Sequence, residues 1–170
     1  MFKRFYPDVY LKSAYDIDFY NLWKRGYRGV IFDIDNTLVE HGKPADERSI
    51  QFIGRLKALG IKVFFLSNNK EPRVKSFRDG VGYGEYIYKA GKPGVANYKK
   101  AMELMGTTVE TTIFVGDQLF TDVWGANKAG IFTFLPEPID PKEEIQIVLK
   151  RILEKPVLAM YRRKKKKESQ

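Results

Sequence analysis

The sequence predicts a doubly wound α/β fold built on a mostly parallel sheet. The prediction rests on short apolar runs ending in polar residues, on segments of helical period between them, and on the glycines that close most of those segments. Gly29-Val30-Ile31-Phe32 ends at Asp33, and Val63-Phe64-Phe65-Leu66 ends at Ser67. Tyr86-Ile87-Tyr88 makes a short third run, and Thr112-Ile113-Phe114-Val115 ends at Gly116-Asp117. Ile131-Phe132-Thr133-Phe134-Leu135 is stopped by Pro136. Continuous runs rich in Val, Ile and Phe suit strands covered on both faces. Between them, Ile50, Ile53, Leu56 and Leu59 recur at helical spacing before Gly60. Val95, Tyr98, Met102 and Met105 do so before Gly106, and Val123, Ala126 and Ala129 before Gly130. Ile145, Val148, Leu149 and Ile152 mark a last helix ahead of Pro156. Residues 79–84, crowded with glycine and aspartate, read as a loop.

A chain of 170 residues with a hydrophobic fraction of 44% supports one domain with short extensions. Residues 1–28 read as an N-terminal extension packing on the core, 29–155 as the main α/β domain and 156–170 as a basic tail. The absence of cysteine excludes disulfides and thiolate metal sites, and a single histidine, His41, excludes a multi-histidine zinc site. No run reaches the ~18 apolar residues of a membrane span, and the first residues lack the apolar stretch of a secretory signal. A cytoplasmic protein fits. Residues 162–170 hold six of the basic side chains and one acidic one, more than half of the net charge of +9. A like-charge block of this kind is expected to stay solvated and disordered.

In such a sheet, ligands bind outside the carboxyl ends of the strands. Those ends carry Asp33-Ile34-Asp35-Asn36-Thr37, Ser67-Asn68-Asn69 and Gly116-Asp117, with Asp122 five residues further on. Asp33 and Asp35 share a face if strand geometry persists, and Asp117 comes from a strand expected beside theirs. Carboxylates this close are costly without a cation or a shared proton. Their oxygens suit Mg²⁺. Ser67 and Asn68 add small donors, and Lys92 lies at an expected helix start, Gly91-Lys92-Pro93. These are the parts needed to hold a phosphoryl group and spread its charge.

The order Asp33-x-Asp35-x-Thr37, Ser67-Asn68, Lys92, Gly116-Asp117-x-x-x-x-Asp122 resembles the four motifs of the haloacid dehalogenase (HAD) superfamily, and Asn36 resembles its subfamily IIIA. Pro7, Asp16-Ile17, Leu22 and Gly26 extend the likeness to the YqeG family of HAD phosphatases. The resemblance implies a Rossmannoid three-layer fold and a Mg²⁺-dependent phosphomonoester hydrolase. It also implies roles: Asp33 as nucleophile, Asp35 as general acid and base, and Mg²⁺ held by Asp33, the Asp35 carbonyl and Asp117. Ser67, Asn68 and Lys92 would bind the phosphate, Lys92 serving catalysis as well, with Thr37 and Asp122 in support.

The 34 positions from Asp33 to Ser67 and the 25 from Ser67 to Lys92 are filled by expected helices and strands, which leaves no room for an inserted cap domain. An open site implies a large phosphorylated substrate, by family inference a lipid head group such as that of phosphatidylglycerophosphate. The basic tail and the aromatic N-terminus (Phe2, Phe5, Tyr6, Tyr10, Tyr15) fit peripheral contact with an anionic membrane, although packing on the domain explains the aromatics more simply. The contrasting class is a non-catalytic module docking RNA, a ribosome or another partner through the tail. Taken singly, each aspartate could cap a helix and Lys92 could be a surface lysine. Trp23 and Trp124 read as packing aromatics, and His41 as a loop residue.

Overall fold

The computed structural model describes residues 3–140 and 145–168. Its centre is a six-stranded, all-parallel sheet in the order β1 (Val9–Leu11), β6 (Phe132–Pro136), β5 (Thr112–Val115), β2 (Gly29–Phe32), β3 (Lys62–Leu66), β4 (Glu85–Ile87). Alternation along each strand divides the core. Val30, Phe32, Val63, Phe65, Ile113 and Val115 face one side, where they meet α1 (Phe19–Lys24), α2 (Glu47–Ala58) and α3 (Glu71–Val81) through Phe19, Leu22, Phe52, Ile53, Val74 and Phe77. Ile31, Phe64 and Phe114 face the other, against Tyr98, Met102 and Met105 of α4 (Ala96–Met105) and Ala126 of α5 (Trp124–Ala129). A third cluster joins Phe5, Leu119, Val123 and Leu135 to Val157 of α6 (Ile145–Glu168). This is the expected three-layer arrangement. The two intervals between the motifs hold only α2 with β3 and α3 with β4, so among the described residues no inserted cap covers the carboxyl edge.

Local chemistry fixes the element ends. Asp46 caps α2 by accepting from the Ser49 N–H at 2.8 Å, while the Ser49 hydroxyl oxygen accepts from the Asp46 N–H at 2.9 Å. Pro72 starts α3 and Gly82, at φ +69°, ends it.

The sequence reading departs from the structure at several elements. Residues 79–81 belong to α3, which that reading missed. Val74, Phe77 and Val81 bury its inner face. Gly80 inside the helix obscured the pattern, yet a Cβ there would lie 2.8 Å from that of Ala45, so close approach of the chain selects glycine. The N-terminal 28 residues do more than pack on the core. Val9 pairs with Phe134 to add an edge strand, and Asp8 accepts from the Thr133 N–H at 2.7 Å. Helix α6 does not stop before Pro156 but runs through it to Glu168, because Val157 and Tyr161 beyond the proline are buried. Proline at 156 lacks an N–H, and its side of the helix faces solvent. The aromatic residues from Phe5 onward pack on the domain, with Phe5 5.2 Å from the Trp124 ring and Tyr15 4.8 Å from Phe52. Phe2 lies outside the described residues. Among the described residues, no helix is long and apolar enough to cross a membrane.

Candidate active site

After β2 the chain continues to β3 on one side, and β5 occupies the other, so β2 and β5 flank the topological switch point. Phe32 is in register with Val115, and the Asp33 N–H donates to the Val115 carbonyl at 2.9 Å. The residues that follow, Asp33 and Asp117, are thereby brought together. Oxygens of Asp33, Asp117 and Asp122 lie within 4.8 Å of one another, and all three residues are buried. Gly116 makes the crowding possible: a Cβ there would sit 2.7 Å from the Asp122 carboxylate.

Lys92 ties two of these carboxylates. Its Nζ donates to Asp33 Oδ1 and to Asp122 Oδ1, each at 2.7 Å, with the lysine side chain 2% exposed. The loop before α4, which begins four residues later than the expected helix start, delivers it. The Asn68 side chain fixes that loop, accepting from the Lys92 N–H at 2.8 Å and donating to the Lys92 carbonyl at 3.1 Å. The Ser67 hydroxyl oxygen accepts from the Asn69 N–H at 3.1 Å, which leaves its own proton to be donated elsewhere. The Asp122 Oδ2 accepts from the Gln118 N–H at 3.1 Å. Thr37 donates its hydroxyl to Asp117 Oδ1 at 3.1 Å, and Arg151 of α6 donates to Asp117 Oδ2.

Burial, reinforced by the Asp122 and Asp117 charges, pushes the Asp33 carboxyl well above its ordinary range despite Lys92. Burial likewise raises Asp117, to about 7, against the lowering by Arg151. Burial alone would depress Lys92, but the Asp122 and Asp33 carboxylates outweigh it and hold the ammonium charged. Three buried carboxylates with one lysine and one arginine leave negative charge over. All-oxygen donors with surplus negative charge fit a hard divalent cation.

Asp35 stands apart from this cluster but in the same cleft. Its Oδ1 accepts from the Gly42 N–H at 2.8 Å and from Arg73 Nη2 at 2.8 Å, and Asn69 donates to Oδ2 at 3.3 Å. Burial raises its pKa, but the Gly42 N–H and the Arg73 guanidinium prevail and hold it below the usual carboxylate range. The cleft, of about 440 Å³, is lined by Asp33, Asp35, Ser67 and Lys92, with His41 and Lys150 among the residues around them. A larger groove of about 620 Å³ lies at the amino end of β3 around Lys62 and Tyr83, away from the carboxylates.

A family model described as haloacid dehalogenase-like hydrolase matches residues 42–130. The "Probable phosphatase YqeG" of Bacillus subtilis is 38% identical over 166 residues, 96% of both chains. The chain belongs to the haloacid dehalogenase-like hydrolases. A second relative of this HAD member, the "Phosphatidylglycerophosphate phosphatase 1, chloroplastic/mitochondrial" of Arabidopsis thaliana, is 31% identical over 169 residues, which is 93% of this chain and 48% of that protein. Among solved structures, the cobalt-bound deoxy-D-mannose-octulosonate 8-phosphate phosphatase of Haemophilus influenzae shares the fold at a TM-score of 0.54 and 22% identity, over 64% of this chain and 67% of that one. An uncharacterized protein from Corynebacterium glutamicum does so at 0.52 and 20%, over 75% and 93%.

The structure thus gathers two hydrogen-bonded groups, Lys92 with Asp33 and Asp122, and Thr37 with Asp117, whose carboxylate oxygens lie within 4.8 Å of one another, with Asp35, Ser67 and Asn68 on the cleft wall. Sequence reasoning missed Arg73, Asn69 and Arg151. Arg73 and Arg151 sit on helices among other charged residues, where nothing in spacing or composition marks them, and Asn69 was visible only as a second asparagine beside Asn68.

Proposed function

We propose that this HAD hydrolase is a Mg²⁺-dependent phosphomonoesterase that works through an aspartyl phosphate on Asp33. The observation that carries this reading is Lys92 bonded at once to Asp33 and Asp122, with Asp117 in the same cluster. Such a constellation combines a nucleophilic carboxylate with positive charge placed where phosphoryl oxygens gather. Asp33 attacks phosphorus and the leaving oxygen departs, which splits one displacement into two easier ones. Lys92, the Ser67 hydroxyl and Asn68 take phosphoryl oxygens, Asn68 through its backbone N–H because its side chain holds the Lys92 loop. Asp122 orients Lys92. Asp33, the Asp35 carbonyl and Asp117 would hold Mg²⁺, which when bound supplies neutralisation of phosphoryl charge, and Thr37 fixes the Asp117 rotamer.

Asp35 is the general acid and base. Its ionised resting state suits the second half-reaction, in which it takes a proton from water. For the first half it must carry a proton, and an incoming phosphate dianion raises its pKa in the required direction.

The open cleft favours a phosphate on a large or membrane-held carrier. The substrate proposed is phosphatidylglycerophosphate, supported by the likeness to the Arabidopsis enzyme of that name. Phosphate release from phosphatidylglycerophosphate in vesicles, measured beside a panel of soluble phosphomonoesters, tests this. The lipid is expected to give the highest kcat/KM. A soluble ester turned over more efficiently would overturn the substrate, and absence of Mg²⁺-dependent release from any ester would overturn the activity.

A further inference from the structure

Helix α6 has two apolar faces, and the domain covers one. Glu154, Val157 and Tyr161 point inward, and the Glu154 Oε1 accepts from the Leu119 N–H at 2.8 Å. On the opposite side Ile152 is 53% exposed, Leu153 64% and Met160 41%, and Pro156 is exposed among them. At 3.6 residues per turn these four fall within an arc of roughly 100°, and Arg163 and Lys167 continue the same arc toward the C-terminus. All six basic side chains from 162 to 167 are exposed. Residues 162–168, in the block expected to stay disordered, therefore continue a helix whose outward apolar stripe runs into a basic end.

We propose that this outer face of α6 is a docking surface for an anionic lipid bilayer. A solvent-facing apolar stripe bordered by Lys and Arg is the pattern of a helix that lies in a membrane interface, its apolar side chains among the acyl chains and its cations at the head groups. Charge selects this occupant over a second copy of the chain. The exposed residues of 150–168 carry eight lysines and arginines and a single acid, Glu168, so a second copy of this face offers its cations almost nothing to pair with. Nucleic acid would satisfy the cations but leave the apolar stripe without a partner. The same helix reaches the candidate site: Arg151 bonds Asp117, and Lys150 lines the cleft two residues before the stripe begins. Docking would hold the cleft rim near a phosphate at the bilayer surface. The inference deepens the reading of a lipid-phosphate substrate and rests on it for its purpose, but it is measured without turnover.

The test is co-sedimentation of the full chain with phosphatidylglycerol vesicles and with phosphatidylcholine vesicles. Four proteins are compared: wild type, Leu153→Glu/Met160→Glu, Arg163→Glu/Lys167→Glu, and the four changes together. Wild type is expected to partition at least ~10-fold more strongly onto the anionic vesicles, less so as salt rises. Each double variant is expected to lose at least ~10-fold of that binding, the first through burial of charge and the second through lost attraction. Turnover of a soluble phosphomonoester and the melting temperature should stay at wild-type values, since every altered side chain is exposed. Equal partition onto both vesicle types, or variants that bind as wild type, would overturn the proposal while leaving the phosphatase reading intact. So would a wild-type dimer that the Leu153/Met160 variant dissolves, or retention of an RNA oligonucleotide in place of vesicles. Loss of soluble-ester turnover in wild type would strike the phosphatase reading alone.

Discussion

Replacing Lys92 with methionine removes one positive charge from the centre of the site while keeping a long apolar stem. The ammonium lies 2.7 Å from both Asp33 and Asp122, and the three side chains are 2%, 10% and 1% exposed. Deleting one partner of a buried ion pair costs ~3–5 kcal/mol. Two orphaned carboxylates would cost twice that, but Asp33, whose carboxyl burial already pushes up, relieves part of the repulsion by taking a proton. The expected loss near pH 8 is therefore ~3 kcal/mol. At roughly 2–4 °C per kcal/mol for a domain of this size, that is a fall in Tm of ~6–12 °C. Groups whose folded pKa is raised withdraw stability as pH climbs from the ordinary range through the folded value, so the deficit should shrink near pH 5.5, below the value of about 7 to which burial pushes Asp117. Urea denaturation at both pH values reads the difference, with an unchanged slope against denaturant confirming an intact fold. Turnover should fall at least ~10²-fold, the scale for losing a group that stabilises transition-state charge. A loss below ~1 kcal/mol that is the same at both pH values would refute the reasoning, since the carboxylates would then not depend on the lysine.

Asp35→Asn should bind Mg²⁺ with unchanged affinity, because only its carbonyl is assigned to the metal, yet hydrolyse a poor leaving group at least ~10²-fold more slowly; a Mg²⁺ titration that rescues the rate would reassign it as a ligand through its carboxylate. Arg151→Gln removes a cation beside Asp117, and Mg²⁺ affinity measured by calorimetry should tighten on the order of 10-fold; weaker binding would mean that Arg151 serves to orient the carboxylate. Burial that raises Asp117 to about 7 makes the metal-free fold lose stability as pH rises from the ordinary carboxylate range through that value. Mg²⁺ should therefore raise Tm more near pH 8 than near pH 5.5, and an equal increment at both would count against a proton-coupled metal site.

Much of the fold was legible because the strands are buried on both faces and read as apolar runs. The motif positions were legible because polar residues follow those runs directly, at the edge where the sheet topology collects them. What escaped the reading has physical causes. Val9-Tyr10-Leu11 is a three-residue edge strand whose side chains are only half buried, too short to show a period. Helix α3 hid behind Gly80, which a packing contact with Ala45 selects. Helix α6 was cut at Pro156 because a proline breaks a helix locally, while burial of Val157 and Tyr161 outweighs that cost. Arg73 and Arg151 act on Asp35 and Asp117 from helices 38 and 34 positions away in sequence, and only the folded chain shows those pairings. Asn68 was legible as a site residue, but its side chain holds the Lys92 backbone, a partner that spacing does not reveal.

The central claim is that Asp33 carries the phosphoryl group. Acid quenching during turnover of a ³²P-labelled phosphomonoester, followed by peptide mapping, tests it most directly. Wild type with Mg²⁺ should yield protein-bound label that hydroxylamine releases, on the peptide containing Asp33. The label should vanish when Mg²⁺ is chelated and in Asp33→Asn, whose kcat should fall at least ~10³-fold. Turnover without protein-bound label, or label retained in Asp33→Asn, would contradict the account.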